Sequence, residues 1–185
     1  MNKVIGLLGP IGSGKTTVAK YLSEKYGFFM VVMGDLVREL ARKKGLTPTR
    51  EVLQAVQKEY VSKYGMDYFA KLVIKRIEES KSEKAVIDGM RRMEDVLVPK
   101  NYFKENILIL LIDAPAKIRY ERISKRIRED TPKTYDEFIE QERREYLIFN
   151  LDKVFKLADE KIINDSDLET LYKRVDEILR KYGFL

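Results

Sequence analysis

The chain has 185 residues, with 36 Lys and Arg against 30 Asp and Glu, and it contains neither histidine nor cysteine. This composition excludes disulfides, thiol catalysis and a zinc site of the usual kind. No imidazole can act as a general base, so any chemistry has to rest on carboxylates, lysine, arginine, hydroxyls and a hard metal ion. The net charge of +6 fits a cleft for several phosphates and leaves nucleic-acid binding open, although less favoured.

The apolar segments are too short to cross a bilayer, and the longest, Ile107 to Ile112, has the length of a strand. The first apolar stretch leads into a glycine-rich loop and not into a cleavage site, so no secretory leader is expected. We therefore expect a cytoplasmic protein that forms a single domain over residues 1–185 and exists as a monomer or a small homo-oligomer.

Apolar runs that alternate with helical patterns set the expected architecture. The predicted strands are Lys3–Leu8, Phe28–Met33, Lys84–Asp88, Asn106–Asp113 and Lys161–Ile163. Continuous apolar strands between helices are typical of a parallel sheet that is covered on both faces. The sequence thus predicts an α/β fold, a three-layer sandwich with a five-stranded parallel sheet.

Three sequence pairs predict where helices begin. Thr47 with Pro48 suggests an N-cap followed by proline at the first helical position. Thr134 with Glu137, and Ser166 with Glu169, both match the capping-box pattern.

A phosphate-binding loop follows the first predicted strand and precedes a helix. Its residues match G-x-x-x-x-G-K-[ST] and are Gly9, Pro10, Ile11, Gly12, Ser13, Gly14, Lys15 and Thr16, with Thr17 directly after them. In such a loop the glycines let backbone N–H groups approach phosphates, and the helix N-terminus favours the same anion. Lys15 is expected to bridge the β- and γ-phosphates of ATP, and Thr16 to ligate Mg²⁺.

The metal is expected to need a second oxygen group from the chain. Asp88 ends an apolar strand, and in parallel sheets ligands gather at the carboxyl ends of the strands. We therefore predict that Asp88 holds Mg²⁺ together with Thr16. Asp113 ends another strand and is the competitor, but we interpret it as a cap for the helix that starts near Pro115.

Arginines are the residues best suited to bring two phosphorylated substrates together. They occur in four groups: Arg38; Arg91 and Arg92; Arg119, Arg122, Arg126 and Arg128; Arg143 and Arg144. Arg38, Arg91, Arg122, Arg126 and Arg143 stand at motif positions, so we interpret them as functional. Arg128 and Arg144 stay open.

These motifs resemble those of the P-loop nucleoside monophosphate kinases, adenylate kinases above all, and also of dephospho-CoA kinases. The closest similarity is to an uncharacterised archaeal family labelled adenylate-kinase-related. The resemblance implies ATP as donor, Mg²⁺ as cofactor and a nucleotide as small-molecule acceptor. It also implies a helical acceptor-binding flap over residues 34–64 and a short lid over residues 122–143.

The resemblance also implies roles for single residues. Gly34-Asp35-x-x-Arg38 is similar to the acceptor loop in which the arginine grips a monophosphate, and either Arg91 or Arg92 stands for a second acceptor arginine. Arg122 would lie against the ATP base. The catalytic set that follows from the resemblance is Lys15, Asp35, Arg126 and Arg143.

The class of acceptor remains open between two chemistries. A phosphate acceptor is already a nucleophile, whereas a sugar hydroxyl, as in dephospho-CoA, benefits from a carboxylate that receives its proton. Asp35 could be that base, or only the N-cap of the following helix. The three-residue spacing from Asp35 to Arg38 favours a phosphate acceptor.

A hypothesis from another class is an RNA-binding or ribosome assembly factor that switches with ATP. The isoelectric point of about 9.2 and the spacing of Tyr60, Tyr64 and Tyr68 keep it in consideration. Tyrosines four residues apart on a helix more often form a packing stripe, which is our interpretation here.

Overall fold

A computed structural model describes residues 2–125 and 132–185, with the side chain of Arg50 outside that description. Its strands are β1 (Lys3–Leu8), β2 (Phe29–Val32), β3 (Lys84–Asp88), β4 (Ile107–Asp113) and β5 (Glu160–Ile163). They form one sheet in the order β2-β3-β1-β4-β5, and every neighbouring pair is parallel. The predicted α/β fold with a five-stranded parallel sheet is therefore confirmed.

Helices connect the strands. In chain order they are α1 (Lys15–Tyr26), α2 (Met33–Lys43), α3 (Arg50–Tyr64), α4 (Tyr68–Ser80), α5 (Met93–Phe103), α6 (Ala116–Ser124), α7 (Tyr135–Phe149), α8 (Leu151–Phe155) and α9 (Leu168–Lys181), with a 3₁₀ turn at Lys104–Asn106. Helices α2 and α3 occupy the range predicted as the acceptor flap, whose role stays a prediction.

The sheet separates two apolar cores because side chains alternate along each strand. Val4 and Leu8 of β1 belong to the core that α2, α3, α4, α5 and α8 cover. Ile5 and Leu7 belong to the opposite core, beneath α1 and α9. Burial on both faces explains why the strands read as continuous apolar runs.

The central strand β1 places the phosphate-binding loop between two neighbouring strand ends. Leu7 is in register with Asp88 of β3, and Leu8 is in register with Leu111 of β4. The loop after β1 therefore lies beside the carboxyl ends of both neighbours, which is where ligands bind in open parallel sheets.

The predicted helix starts had mixed outcomes. Thr134 caps α7 as expected, since its hydroxyl accepts from the Glu137 N–H. The predictions for Thr47 and Ser166 are wrong: α3 is capped by Thr49 and α9 by Asp167. In both cases a second good capping residue stands close by in the chain, and local pattern alone cannot choose between them.

None of the described helices is both long enough and apolar enough to cross a membrane.

Candidate active site

The phosphate-binding loop is shaped by close approaches that only glycine permits. A Cβ on Gly9 would lie 2.0 Å from the carbonyl oxygen of Ile112, and one on Gly14 would lie 2.4 Å from Nδ2 of Asn164. Gly14 also has a φ of 104°, which other residues rarely adopt. Among the described residues no side chain caps the N-terminus of α1, so its first N–H groups are available to an anion.

Asn164, at the end of β5, holds this loop from the side. Its buried amide donates to the Ser13 carbonyl at 2.8 Å, and its own N–H donates to the Asp113 carbonyl at 2.7 Å. Arg122 donates to the backbone and side-chain oxygens of Asn164 at 3.1 and 3.3 Å. Sequence analysis missed Asn164, although its place after a predicted strand was the same signal that identified Asp88.

The Lys15 ammonium lies inside the loop. It donates to the carbonyl oxygens of Gly9 and Pro10 at 2.7 and 2.8 Å. Burial lowers its pKa to about 8, against the opposing effect of the negative charge on Asp88. A half-buried ammonium whose hydrogen-bond partners among the described residues are two carbonyl oxygens can exchange them for phosphate oxygens.

Thr16 and Asp88 are brought together as predicted. The Thr16 hydroxyl donates to Oδ2 of Asp88 at 2.7 Å, and Asp88 is buried. A hydroxyl and a carboxylate are oxygen ligands that suit Mg²⁺, which takes few protein ligands and keeps water and substrate phosphates. No cluster of three or more acidic residues able to hold a metal occurs in the described part of the chain.

Asp113 has a different environment from Asp88. Its Oδ1 accepts from the Ala114 N–H at 2.8 Å, and Oδ2 pairs with Lys161 at 2.7 Å. Helix α6 is capped by Pro115, so the interpretation of Asp113 as its N-cap is wrong. The carboxylate instead accepts a hydrogen bond from the N–H of the next residue, a local side-chain-to-backbone contact at the end of β4.

The first predicted acceptor loop carries an ion pair. Arg38 donates to Oδ1 of Asp35 at 2.7 Å, and both side chains are largely exposed. The guanidinium folds over Gly34, where a Cβ would lie 3.1 Å from Nη1. Helix α2 already begins at Met33 after Val32, so Asp35 lies in the first turn and is not the N-cap. Its carboxylate is thus accessible to a substrate.

The second predicted acceptor loop is fixed by Asp95, which sequence analysis missed. Oδ2 of this carboxylate accepts from the backbone N–H groups of Arg91 and Arg92 at 3.0 and 2.9 Å. Burial raises the pKa of Asp95, although these two N–H donors favour its charged form. The loop backbone is therefore tied down, with the Arg91 side chain exposed and Nε of Arg92 buried without a hydrogen-bond partner among the described residues.

Arg119 links the phosphate-binding loop to α6 and α7. The buried guanidinium donates to the Ala114 carbonyl at 2.7 Å, to the Ile11 carbonyl at 3.3 Å and to both carboxylate oxygens of Glu142. It also lies over the Phe138 ring, 5.5 Å from the centroid. Sequence analysis grouped Arg119 with Arg122, Arg126 and Arg128 but assigned it no role.

One face of α7 points towards the loops of the site. We call Phe138, Glu142, Glu145 and Phe149 the inner face of α7, since their spacing places them on one side of a helix. Glu145 lies 3.9 Å from Nη1 of Arg91. The guanidinium carbons of Arg91 and Arg92 lie 5.9 and 5.7 Å from the centroid of the Phe149 ring.

The remaining predicted arginines have different surroundings. Nη1 of Arg122 is buried without a hydrogen-bond partner among the described residues, and burial lowers the pKa of this guanidinium. Arg126 lies outside the described residues. The Arg143 side chain is exposed and is not part of the inner face of α7. The roles assigned to these residues remain predictions.

The tyrosines at positions 60, 64 and 68 pack on one another, with centroids 5.1 to 5.7 Å apart. Tyr60 and Tyr68 also contact the apolar core. This arrangement agrees with their interpretation as a packing stripe.

Comparison with known sequences places the chain among archaeal relatives. A family model described as an AAA domain matches residues 8–139. A UPF0200 protein of Pyrococcus abyssi is 36% identical over 181 residues, which is 96% of each chain. A UPF0200 protein of Thermococcus onnurineus is 35% identical over 96% of this chain and 97% of its own.

Comparison with solved structures concerns the fold. The crystal structure of TT1252 from Thermus thermophilus matches with a TM-score of 0.66 at 18% identity, over 97% of both chains. A shikimate kinase from Acinetobacter baumannii, solved in complex with shikimate, matches with a TM-score of 0.59 at 18% identity, over 98% of this chain and 95% of its own. These similarities support the P-loop kinase fold.

Proposed function

The chain belongs to the UPF0200 family and matches the AAA domain model, and from the geometry of its phosphate-binding loop we propose that it is an ATP- and Mg²⁺-dependent kinase. It transfers the γ-phosphoryl group of ATP to a nucleoside monophosphate or a similar nucleotide. The observation that carries this proposal is the hydrogen bond from Thr16 to Asp88 beside the half-buried ammonium of Lys15.

The donor side follows from the loop. Its glycines and the N-terminus of α1 would hold the β-phosphate through backbone N–H groups. Lys15 would leave the Gly9 and Pro10 carbonyls for oxygens of the β- and γ-phosphates. Thr16 and Asp88 would hold Mg²⁺, which neutralises charge on the transferred group when it is bound.

The acceptor side follows from the two arginine-bearing loops. Arg38, Arg91 and Arg92 would orient an anionic acceptor in line with the γ-phosphate, because such transfer depends on alignment and charge neutralisation. Closure of the flap at residues 34–64 and the lid at residues 122–143 would exclude water. Arg126 and Arg143 would then stabilise the transferred group.

A second candidate is phosphorylation of a sugar hydroxyl, as in dephospho-CoA. The exposed carboxylate of Asp35, paired with Arg38, favours it, because a hydroxyl acceptor has to lose a proton during transfer. Asp35 would then be the base, and Arg38 would still bind a phosphate of the same acceptor.

The test is an ATP-consumption assay with Mg²⁺ against a panel of nucleoside monophosphates, dephospho-CoA and no acceptor. Strong stimulation by AMP, CMP or UMP supports the phosphate acceptor, and stimulation by dephospho-CoA supports the hydroxyl acceptor. Slow ATP hydrolysis at a rate that no acceptor changes contradicts the kinase proposal. That result directs the next measurement to RNA binding, where a steep dependence on salt would indicate phosphate contacts.

A further inference from the structure

The inner face of α7 connects the two halves of the site. At Glu142 it reaches Arg119, which in turn donates to the Ile11 carbonyl in the phosphate-binding loop. One and two turns further along α7, Glu145 and Phe149 contact Arg91 in the second acceptor loop. The same helix therefore contacts the residue that supports the donor loop and a residue predicted to hold the acceptor.

The two carboxylates on the inner face of α7, Glu142 and Glu145, differ in how closely a cation pairs with them. Both oxygens of Glu142 accept hydrogen bonds from the guanidinium of Arg119. Glu145 is almost as well buried, with 17% of its side chain exposed, yet its ion pair with Arg91 is loose at 3.9 Å. Among the described residues, Glu145 forms no closer ion pair than this one, so its charge is matched less directly than that of Glu142. Its presence between cations of a phosphate site therefore needs an explanation.

The position of Glu145 is explained by the positive charges of Arg91 and Lys15 near it. Arg91 is half exposed at 49% and stays against the Phe149 ring, while Lys15 is close enough for the charge of Glu145 to oppose the lowering of its pKa. Without substrates these positive charges repel one another. A single carboxylate at this point offsets part of that repulsion until phosphates arrive.

We propose that Glu145 is an internal counter-ion that holds Arg91 in the substrate-free site and releases it to the phosphate of the acceptor. The proposal rests on the proposed function and adds a residue that sets acceptor affinity. An acceptor phosphate forms a bidentate, charge-assisted contact with a guanidinium, which is stronger than a pair at 3.9 Å.

The consequence is that Glu145 competes with the acceptor. Removing its charge while keeping its shape, as in Glu145→Gln, leaves Arg91 without a competing anion. The apparent affinity for a phosphate at this loop should then rise. A proton-accepting base would behave differently, because its loss would lower kcat and leave binding unchanged.

The experiment measures equilibrium binding of inorganic phosphate by calorimetry, with the donor loop saturated by Mg²⁺ and a non-hydrolysable ATP analogue. We expect Glu145→Gln to bind phosphate about tenfold more tightly than the unmodified chain. Glu140→Gln is the matched control, since Glu140 lies on α7 but pairs with Arg144 at the surface, and it should change nothing. Circular dichroism confirms that each variant is folded.

A double-mutant cycle that combines Glu145→Gln with Arg91→Ala tests whether Glu145 acts on phosphate binding through Arg91. The proposal requires that Glu145→Gln has no effect on phosphate binding once Arg91 is absent. An equal gain in that background, unchanged affinity in the single variant, or no phosphate binding to either protein overturns it. A hundredfold loss of kcat at constant KM with the natural acceptor overturns it as well.

These measurements are independent of turnover. If no acceptor stimulates ATP consumption, the proposed function fails while the phosphate titration still gives its own result. If the titration shows no competition, the kinase proposal is untouched.

Discussion

Thr16 and Asp88 are 72 residues apart in the chain, and the hydroxyl of one donates to Oδ2 of the other at 2.7 Å. The contact forms because β1 and β3 are neighbours in register, so the loop after one strand meets the last residue of the other. Two oxygen groups thereby converge beside the Lys15 ammonium.

Asp88→Asn should weaken the response to Mg²⁺. The amide preserves the shape of the side chain but removes the charge that would hold the metal, so we expect activity or metal affinity to fall about 10- to 100-fold. The measurement is ATP consumption as a function of Mg²⁺ concentration. Asp113→Asn is the control, because Asp113 pairs with Lys161 at another strand end. Equal losses in both variants would refute the metal assignment.

Lys15→Ala should abolish phosphoryl transfer and leave the fold intact. The alanine variant loses the cation that would bridge the β- and γ-phosphates, and we expect turnover to fall by about 100-fold or more. The measurement is ATP consumption, with thermal unfolding as the check on the fold. Turnover near that of the unmodified protein would disprove the role of the loop.

Because the pKa of Lys15 is lowered, we expect the protein to take up a proton when it binds ATP. Its pKa is about 8 in the free site because of burial, and bound phosphates raise the pKa of an ammonium. Above pH 8 free Lys15 is mostly neutral, so ATP has to recruit a proton and its apparent affinity should decline as the pH rises. Well below pH 8 Lys15 is already charged, and the uptake should vanish. Calorimetry in two buffers of different ionisation enthalpy measures it.

The control for this proton uptake is Lys15→Arg, which stays charged throughout the range. Proton uptake that persists at pH 8.5 in the arginine variant would mean that another group takes up the proton.

Arg38→Ala should raise the KM of the acceptor much more than the KM of ATP. A hydrogen bond to a charged group contributes about 1.5–3 kcal/mol, so we expect the acceptor KM to rise about 10- to 100-fold with little change in the ATP KM. Arg42→Ala is the control, since Arg42 is exposed one turn later on α2. Steady-state kinetics with the acceptor found in the panel measures both constants. An equal rise in both would remove Arg38 from the acceptor site.

Asn164→Ala should loosen the donor loop. It leaves the Ser13 carbonyl without its buried donor and removes one acceptor from Arg122, so we expect a loss of about 1–3 kcal/mol in the free energy of unfolding. Chemical denaturation measures this, and ATP affinity should fall in parallel. Asn101→Ala on α5 is the control at an exposed position. Unchanged ATP affinity in Asn164→Ala would mean that the phosphate-binding loop keeps its conformation without the hydrogen bond from Asn164.

Much of the site could be predicted because its signals are local. The spacing of glycines before Lys15 specifies a phosphate-binding loop, and an apolar run that ends in Asp88 specifies a strand end beside it. Both predictions need only the pattern of neighbouring residues and the general rule that ligands gather at the carboxyl ends of parallel strands.

The contacts of some supporting residues could not be predicted in this way. Asn164 follows a predicted strand, but its partners Ser13 and Arg122 are far away in the chain, as is Arg91, the partner of Glu145. Asp95 is a local case, because it accepts from the N–H groups of Arg91 and Arg92 just before it in the chain. The local sequence of Asp35 allowed either an N-cap or a base, and the structure excludes the N-cap because α2 begins at Met33, directly after β2.

Residue types alone predicted the chemistry of this protein: a loop for phosphates, oxygen ligands for a hard cation and arginines for anions, with no imidazole or thiol. Tertiary structure decided which of those groups meet. Strand order brings Asp88 and not Asp113 to Thr16, and the packing of α7 brings Glu145 to Arg91. The physical reason is that residue types carry reactivity, whereas distance and burial, which determine interaction strength, exist only in the folded chain.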